Sequence, residues 1–204
     1  MNYQMPKYKL AGAFLAGAVF IFSSQVLYGE DGKVHPAGSY SFSDELGGFE
    51  ILTTSGSGVF EDPIVLYQEM LTSEGSTMIV RHLNPALLSK AKNKVEDNSI
   101  YLRFVIVNNS NVPWVGYGLE LQEIKDKPST YGDGLSFDQI SRETSFIRSD
   151  VFLEFEQQYE PGDRVVYKKG VVNHLNRVVL DFVVTDFTPT SLFYIHQDPL
   201  IPAS

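Results

Sequence analysis

The sequence predicts an all-β protein, an antiparallel β-sandwich of immunoglobulin-like or jelly-roll-like form with one or two short helices. About nine short apolar runs follow one another along the chain, and glycine, proline, serine and asparagine separate them. No long segment has the spacing of apolar residues that an α-helix needs. The chain of 204 residues has no cysteine. Its fold must therefore depend on a hydrophobic core, which a chain of this length can build.

The predicted strands are the apolar runs themselves. The clearest is IYLRFVIV, residues 100–107, where Ile100, Leu102, Phe104 and Ile106 alternate with residues that are in part polar. Alternation of this kind places one row of side chains in the core and the other row on the outer face of a sheet. The remaining strands are predicted at residues 49–54, 63–70, 77–83, 116–124, 150–157, 164–169, 178–186 and 191–197.

Two short helices are predicted between the strands. Asn84 is a residue type that caps helices, and Pro85 then occupies the first helical position of a turn or two over residues 85–92. The second helix would begin at Phe137, with Ser136 as its cap and Gln139 three residues after the cap. That serine-to-glutamine spacing is the pattern of a capping box.

The N-terminal segment predicts export. Lys7 and Lys9 precede thirteen uncharged residues, 10–22, which matches the apolar part of a signal peptide and is shorter than a membrane span. We therefore expect residues 1–28 to be a signal peptide and the protein to be periplasmic or extracellular. The alternative is an uncleaved N-terminal anchor, because no clear pair of small residues marks a cleavage site.

The rest of the chain is expected to form one domain. Residues 29–48 are expected to be a loose N-terminal lead. Within them, the polar, glycine-containing segment 29–43 could instead form an edge strand. Residues 49–204 are expected to form a single β-sandwich domain, because about 175 residues after the signal peptide suit one domain. No second apolar run approaches the length of a membrane span, so no span is expected after the signal peptide.

The charge of the chain argues against nucleic acid as a partner. The formal net charge is −9, and removal of residues 1–28 leaves 14 basic against 25 acidic residues, a charge of about −11. Proteins that bind nucleic acid need basic surfaces to neutralise phosphates. The absence of cysteine excludes thiol nucleophiles, and no serine lies in a G-x-S-x-G motif. The sequence thus favours a non-enzymatic protein that binds a protein or a glycan.

The segment NNSNVPW, residues 108–114, contains the only tryptophan of the chain. One interpretation makes Trp114, Tyr117 and Tyr131 an aromatic platform for a sugar ring, as in a carbohydrate-binding module. The other makes Trp114 an anchor that closes one end of the sandwich. We favour the anchor, since buried tryptophans are common in sandwiches.

The segment YGDGLSFDQ, residues 131–139, could hold calcium through Asp133 and Asp138, as loops of secreted sandwiches do. The ligand spacing of an EF-hand is absent. The alternative is a structural corner, in which the Asp133-Gly134 pair turns the chain while Leu135 and Phe137 pack into the core. We favour the corner and expect no other cofactor.

A hydrolase is the third hypothesis for the function. Such an enzyme would need two carboxylates roughly 5–10 Å apart across a cleft, and Glu120 and Asp138 are the acids we consider for that pair. Sequence spacing does not place these two residues near each other.

Five segments follow one another over about half the chain, residues 100–199: NNSNVPWVGYGLELQ, YGDGLSFDQ, PGDRVVY, VVLDFVVTD and FYIHQDP. Their order resembles that of small secreted bacterial β-sandwich proteins of the PEP-CTERM-associated kind. The resemblance implies export and a sandwich fold, and it implies no activity. Residues 200–204 depart from the pattern because they form no hydrophobic sorting tail.

Overall fold

The predicted all-β sandwich is confirmed by a computed structural model, which describes residue 33 and residues 35–84, 98–130, 132–138 and 146–203. Two sheets pack against each other, and the described residues contain almost no helix. The strands are β1 His35–Ala37, β2 Tyr40–Ser43, β3 Phe49–Ser55, β4 Ile64–Met70, β5 Ser76–His82, β6 Ser99–Asn108, β7 Trp114–Gln122, β8 Leu135–Phe137, β9 Arg148–Ser149, β10 Glu154–Gln158, β11 Arg164–Val172, β12 Arg177–Asp186 and β13 Leu192–Leu200.

The first sheet has seven strands in the order β1-β2-β5-β13-β7-β11-β10, and all its neighbours pair antiparallel. The second has six strands. Five of them follow the order β3-β4-β6-β12-β8, and β9 also pairs with β12. The β4–β6 pair is parallel, while the other pairs of this sheet are antiparallel. Strands β6 and β12 therefore lie in the middle of the six-stranded sheet.

The core fills the space between the two sheets. Leu102, Phe104 and Ile106 of β6 point inward and are fully buried, as the alternation of residues 100–107 predicts. Phe182 of β12 packs edge-to-face against Phe104, with ring centroids 4.8 Å apart. Removal of this apolar surface from water is the main stabilising contribution to the fold.

The N-terminal part of the described chain belongs to the sandwich. Strands β1 and β2 form the edge of the seven-stranded sheet, and Phe42 on β2 is buried in the common core. Of the two expectations for residues 29–43, the edge strand is therefore observed, over residues 35–37 and 40–43. The domain begins before residue 49, because Phe42 could not be removed without opening the core.

The helix predicted at Phe137 is wrong. Ser136 and Phe137 lie in β8 and pair with Thr185 and Val184 of β12. The side chain of Ser136 is fully buried, so it cannot cap a helix at the surface. Gln139, the helix predicted at residues 85–92 and the signal peptide predicted at residues 1–28 lie outside the described residues. In the described part of the chain, no helix has the length and apolar composition needed to cross a membrane.

Candidate functional site

The outer face of the six-stranded sheet carries a row of three charged side chains. Arg103 of β6 is directly opposite Asp181 of β12, and Asp181 is directly opposite Arg148 of β9. Arg103 donates from Nε to Oδ1 of Asp181 at 2.6 Å and from Nη2 to Oδ2 at 3.0 Å. Arg148 donates from Nε to Oδ2 at 2.7 Å. Both guanidinium groups are therefore held by one carboxylate.

The exposure of these side chains shows which of them can meet a ligand. The side chain of Asp181 is only 5% exposed, whereas those of Arg103 and Arg148 are 37% and 63% exposed. The hydrogen bonds to Asp181 raise the pKa of Arg103 above its ordinary value. Because guanidinium groups have five N–H donors each, both arginines keep donors that point away from Asp181. The two guanidinium groups therefore offer positively charged N–H donors to a ligand, and the buried carboxylate of Asp181 holds them in position.

Aromatic side chains lie on both sides of this row. On one side Tyr101 of β6 contacts Phe60 and Phe146 edge-to-face, with ring centroids 5.5 and 5.1 Å from that of Tyr101. Phe60 is 60% exposed. The guanidinium of Arg148 lies 5.5 Å from the centre of the Phe146 ring, within range of a cation–π contact. On the other side of the row is Tyr67 of β4, which is 43% exposed.

A shallow cavity of about 260 Å³ opens at the row, lined by Arg103, Arg148, Ser149, Asp150, Val179 and Asp181. Asp150 accepts a hydrogen bond from the backbone N–H of Val179 through Oδ1, at 2.7 Å. The cavity therefore contains two positive and two negative side chains. Its charged side chains are held by hydrogen bonds to one another and to the backbone, which is the arrangement expected of a preformed binding site.

Trp114 and Tyr117 do not form the exposed aromatic platform that is one of the two interpretations of the sequence. Both side chains are fully buried in the core between the sheets, so neither ring offers a face to a sugar. Nε1 of Trp114 donates to Oγ of Ser110 at 2.9 Å, and the hydroxyl of Tyr117 donates to Oε1 of Gln197 at 3.1 Å. Trp114 is the anchor that we favoured. Tyr131 lies outside the described residues.

Asp133 takes part in a turn. Its Oδ2 accepts from the backbone N–H of Thr130 at 2.9 Å, and its Oδ1 accepts from that of Leu135 at 3.1 Å. Asp138 is buried at a positive φ of 38°, and its backbone N–H donates to the carbonyl of Val183. These contacts are those of a structural corner. Calcium binding at the two aspartates stays a prediction, and the described residues contain no group of three acids or histidines arranged to hold a metal.

The buried carboxyl group of Asp163 holds this corner in place, and no sequence pattern identifies it. Asp163 precedes β11, accepts from the hydroxyl of Ser136, and accepts from the backbone N–H of Phe137 at 3.3 Å. Burial raises the pKa of Asp163 to about 7, and the nearby charges of Asp133 and Glu160 act in the same direction. This carboxyl group holds the loop that contains Asp133 against the sandwich.

The two carboxylates considered for hydrolysis belong to different sheets. Glu120 lies on the outer face of the seven-stranded sheet, directly opposite His196 of β13 and Arg164 of β11. Its Oε1 accepts from Nε2 of Gln122 at 2.9 Å. Asp138 follows β8, in the six-stranded sheet. Nothing in this arrangement brings the two acids to one cleft.

Sequence reasoning missed the charged row. The alternation of residues 100–107 already places Arg103 on the outer row of β6, and Asp181 interrupts the otherwise apolar segment VVLDFVV, residues 178–184. An acid within such a segment indicates a specific partner, because burial of an unpaired carboxylate is costly. The partner could not be named, since Arg103 and Arg148 are 78 and 33 residues away along the chain.

The chain matches no protein-family model, and neither a curated protein nor a solved structure is detectably similar to it.

Proposed function

We propose that the chain is an exported, non-enzymatic binding protein and that its binding surface is the outer face of the six-stranded sheet. The observation that supports this function is the row Arg103–Asp181–Arg148, in which a buried carboxylate fixes two exposed guanidinium groups. Side chains fixed before a ligand arrives lose little conformational entropy on binding. Export is supported by the N-terminal apolar segment, residues 10–22.

The arrangement favours binding over catalysis. Asp181 accepts hydrogen bonds from both arginines, so its carboxylate is occupied and does not act as a base. Each arginine stays protonated at any physiological pH and cannot transfer a proton. What the row can do is donate hydrogen bonds to a ligand at fixed positions.

Arg148→Gln tests the proposal, with Lys169→Gln as its matched control. The two side chains are 63% and 64% exposed, each pairs with one acid, and each substitution removes one positive charge. Lys169 lies on β11 in the other sheet. The full chain would be applied to an array that carries neutral glycans, acidic glycans and acidic peptides.

We expect wild type and Lys169→Gln to bind the same probes, and Arg148→Gln to bind them about tenfold more weakly. Absence of binding to every probe, or equal binding by wild type and Arg148→Gln, would show that the proposal is wrong. Export is tested separately by sequencing the N-terminus of the protein recovered outside the cytoplasm. A chain that stays in the cytoplasm with an intact N-terminus contradicts that part of the proposal.

A further inference from the structure

We propose that the outer face of the six-stranded sheet takes a neutral polysaccharide chain, which lies along strands β6 and β12 and crosses the Arg103–Asp181–Arg148 row. This inference rests on the binding function proposed above and adds the chemical class of the ligand. Charge, hydrogen-bonding capacity, the spacing of the aromatic side chains and the shape of the face support it.

Charge argues against an anionic ligand. The two arginines of the cavity are balanced by Asp181 and Asp150, so the site carries no net charge. The chain as a whole has a formal charge of −9, which repels polyanions at low ionic strength. A neutral ligand avoids that repulsion and still gains hydrogen bonds from charged partners, which are stronger than those between neutral groups.

Hydrogen-bonding capacity matches a ligand with many hydroxyl groups. Arg103 uses two of its five N–H groups for Asp181 and Arg148 uses one, which leaves about seven donors. Asp150 uses Oδ1 for the backbone of Val179, and its Oδ2 completes the site with an acceptor. Neighbouring hydroxyl groups of a sugar accept and donate at once, so they can satisfy both kinds of partner.

The aromatic side chains are spaced for a chain of several sugar units. Tyr101 precedes Arg103 by two residues on β6, and Tyr67 of β4 is opposite Val105, two residues after Arg103. At roughly 3.3 Å per residue, the two aromatic positions lie about 13 Å apart along the strands, with the charged row between them. An aromatic ring provides an apolar face on which the C–H face of a sugar can pack.

The shape of the face favours a polymer over a small molecule. The cavity of about 260 Å³ is below the range of roughly 300–1,000 Å³ that is typical of sites enclosing a small ligand. Exposed aromatic rings lie on both sides of the charged row along the strands: Phe60 contacts Tyr101, and Tyr67 is opposite Val105. An extended chain can contact both of them and the arginines together, whereas a single sugar ring would reach only part of this surface.

The test measures how strongly the full chain is retarded in native gels that contain a soluble polysaccharide. The neutral probes are mixed-linkage β-glucan, galactomannan and xylan, the acidic probes are polygalacturonate and alginate, and polyglutamate represents an acidic peptide. Tyr67→Ala and Phe60→Ala remove the two exposed rings. Phe155→Ala on β10 is their control, since Phe155 is an exposed aromatic residue of the other sheet.

We expect retardation in at least one neutral gel. The apparent affinity should fall about fivefold or more in Tyr67→Ala, Phe60→Ala and Arg148→Gln, and should not change in Phe155→Ala or Lys169→Gln. A cooperative melting transition well above the temperature of the gels would show that each variant is folded, and the two aromatic variants provide independent tests of the same face.

Three outcomes would overturn the inference. The first is retardation that occurs only in the acidic gels or with polyglutamate and is lost in Arg148→Gln. The ligand would then be acidic and not a neutral polysaccharide, while the proposed binding function would still hold. Neutral binding that is unaffected by all three substitutions places the ligand elsewhere on the protein. Absence of Arg148-dependent binding in these gels and on the array rejects both the ligand class and the binding function.

Discussion

The hydroxyl of Tyr167 donates a hydrogen bond to the backbone carbonyl of Asp181 across the sandwich, at 2.9 Å. Tyr167 belongs to β11 of the seven-stranded sheet and Asp181 to β12 of the six-stranded one. The phenol is fully buried, and this burial raises its pKa well above the ordinary value. Strand β12 at Asp181 is thus held from its inner side by a neutral phenol and from its outer side by two arginines.

Tyr167→Phe should lower the free energy of unfolding by about 1 kcal/mol, because it removes one buried hydrogen bond and keeps the ring. Urea unfolding followed by circular dichroism measures the change. Tyr194→Phe is the control, since Tyr194 lies on the outer row of β13 and is half-buried. Equal effects of the two substitutions would contradict a specific role for the Tyr167 contact.

Asp181→Asn should destabilise the protein by about 1–3 kcal/mol, because it removes the anion that holds Arg103 and Arg148 and leaves two positive charges side by side. A double-mutant cycle with Arg148→Gln measures the coupling. We expect Arg148→Gln to cost less in the Asp181→Asn background than in wild type. Additive effects would mean that the hydrogen bond between Arg148 and Asp181 contributes nothing to stability.

Stability should fall as the pH rises from about 4 to about 7. Burial is the main cause that raises the pKa of Asp163 to about 7 and that of Asp186 to about 6, both from an ordinary 3.8. In this range the folded state binds more protons than the unfolded state, so acidification favours folding. We expect the melting temperature to be roughly 5 °C higher at pH 5 than at pH 8.

Asp163→Asn identifies the source of this pH dependence. Its amide can accept from the backbone N–H of Phe137 and donate to the hydroxyl of Ser136, so the loop stays fastened without a charge. The variant should melt above wild type at pH 8 and show a flatter profile between pH 5 and 8. An unchanged profile would show that Asp163 does not titrate in that range.

The long strands of this fold could be predicted because each contains its own signal. Alternation over residues 100–107 locates β6, and the apolar run at residues 178–186 locates β12. Strands β8 and β9 have three and two residues, too few for any period to be recognised. They form because their backbones pair with β12, and this pairing depends on the tertiary fold. The capping pattern at Ser136 was overridden by the same pairing.

The site could be predicted only in part. Alternation places Arg103 on the outer row of its strand, but the register that brings Asp181 opposite Arg103 and Arg148 depends on how three separate segments pair. The sequence leaves two positions open for Trp114 for a related reason. Trp114 follows a turn rich in asparagine, where either a core anchor or an exposed platform would fit, and only the packing of the two sheets places it in the core.

At Gly116 and Gly118 of β7, an added Cβ would come close to atoms of a neighbouring strand, and the two sets of atoms differ in how easily they can move. A Cβ at Gly116 would lie 2.7 Å from the backbone carbonyl oxygen of Tyr167, whereas a Cβ at Gly118 would lie 2.8 Å from Nη2 of Arg164. The carbonyl is fixed by strand pairing, while the guanidinium ends a flexible side chain. Gly116→Ala should therefore destabilise the protein by about 1–3 kcal/mol and Gly118→Ala by less. Thermal melting of both variants measures the difference, and the opposite ranking would contradict this explanation.

The fluorescence of Trp114 should depend on the packing of the core and should not change when a ligand binds to the outer face of the six-stranded sheet. As the only tryptophan, buried between the sheets, it should show blue-shifted fluorescence that acrylamide quenches weakly. Trp114→Phe loses part of the packed ring and the hydrogen bond to Ser110, which should cost about 2–3 kcal/mol of stability.

The same variant separates the two locations considered for a glycan. The proposed binding face consists of outward side chains of the six-stranded sheet, such as Tyr67 and Arg148, and Trp114 belongs to the core. Folded Trp114→Phe should therefore retain wild-type affinity for any glycan bound, as measured by retardation in native gels, whereas Tyr67→Ala should not. Loss of affinity in Trp114→Phe, with Tyr67→Ala unaffected, would return the binding site to the aromatic residues of β7 and remove it from the outer face.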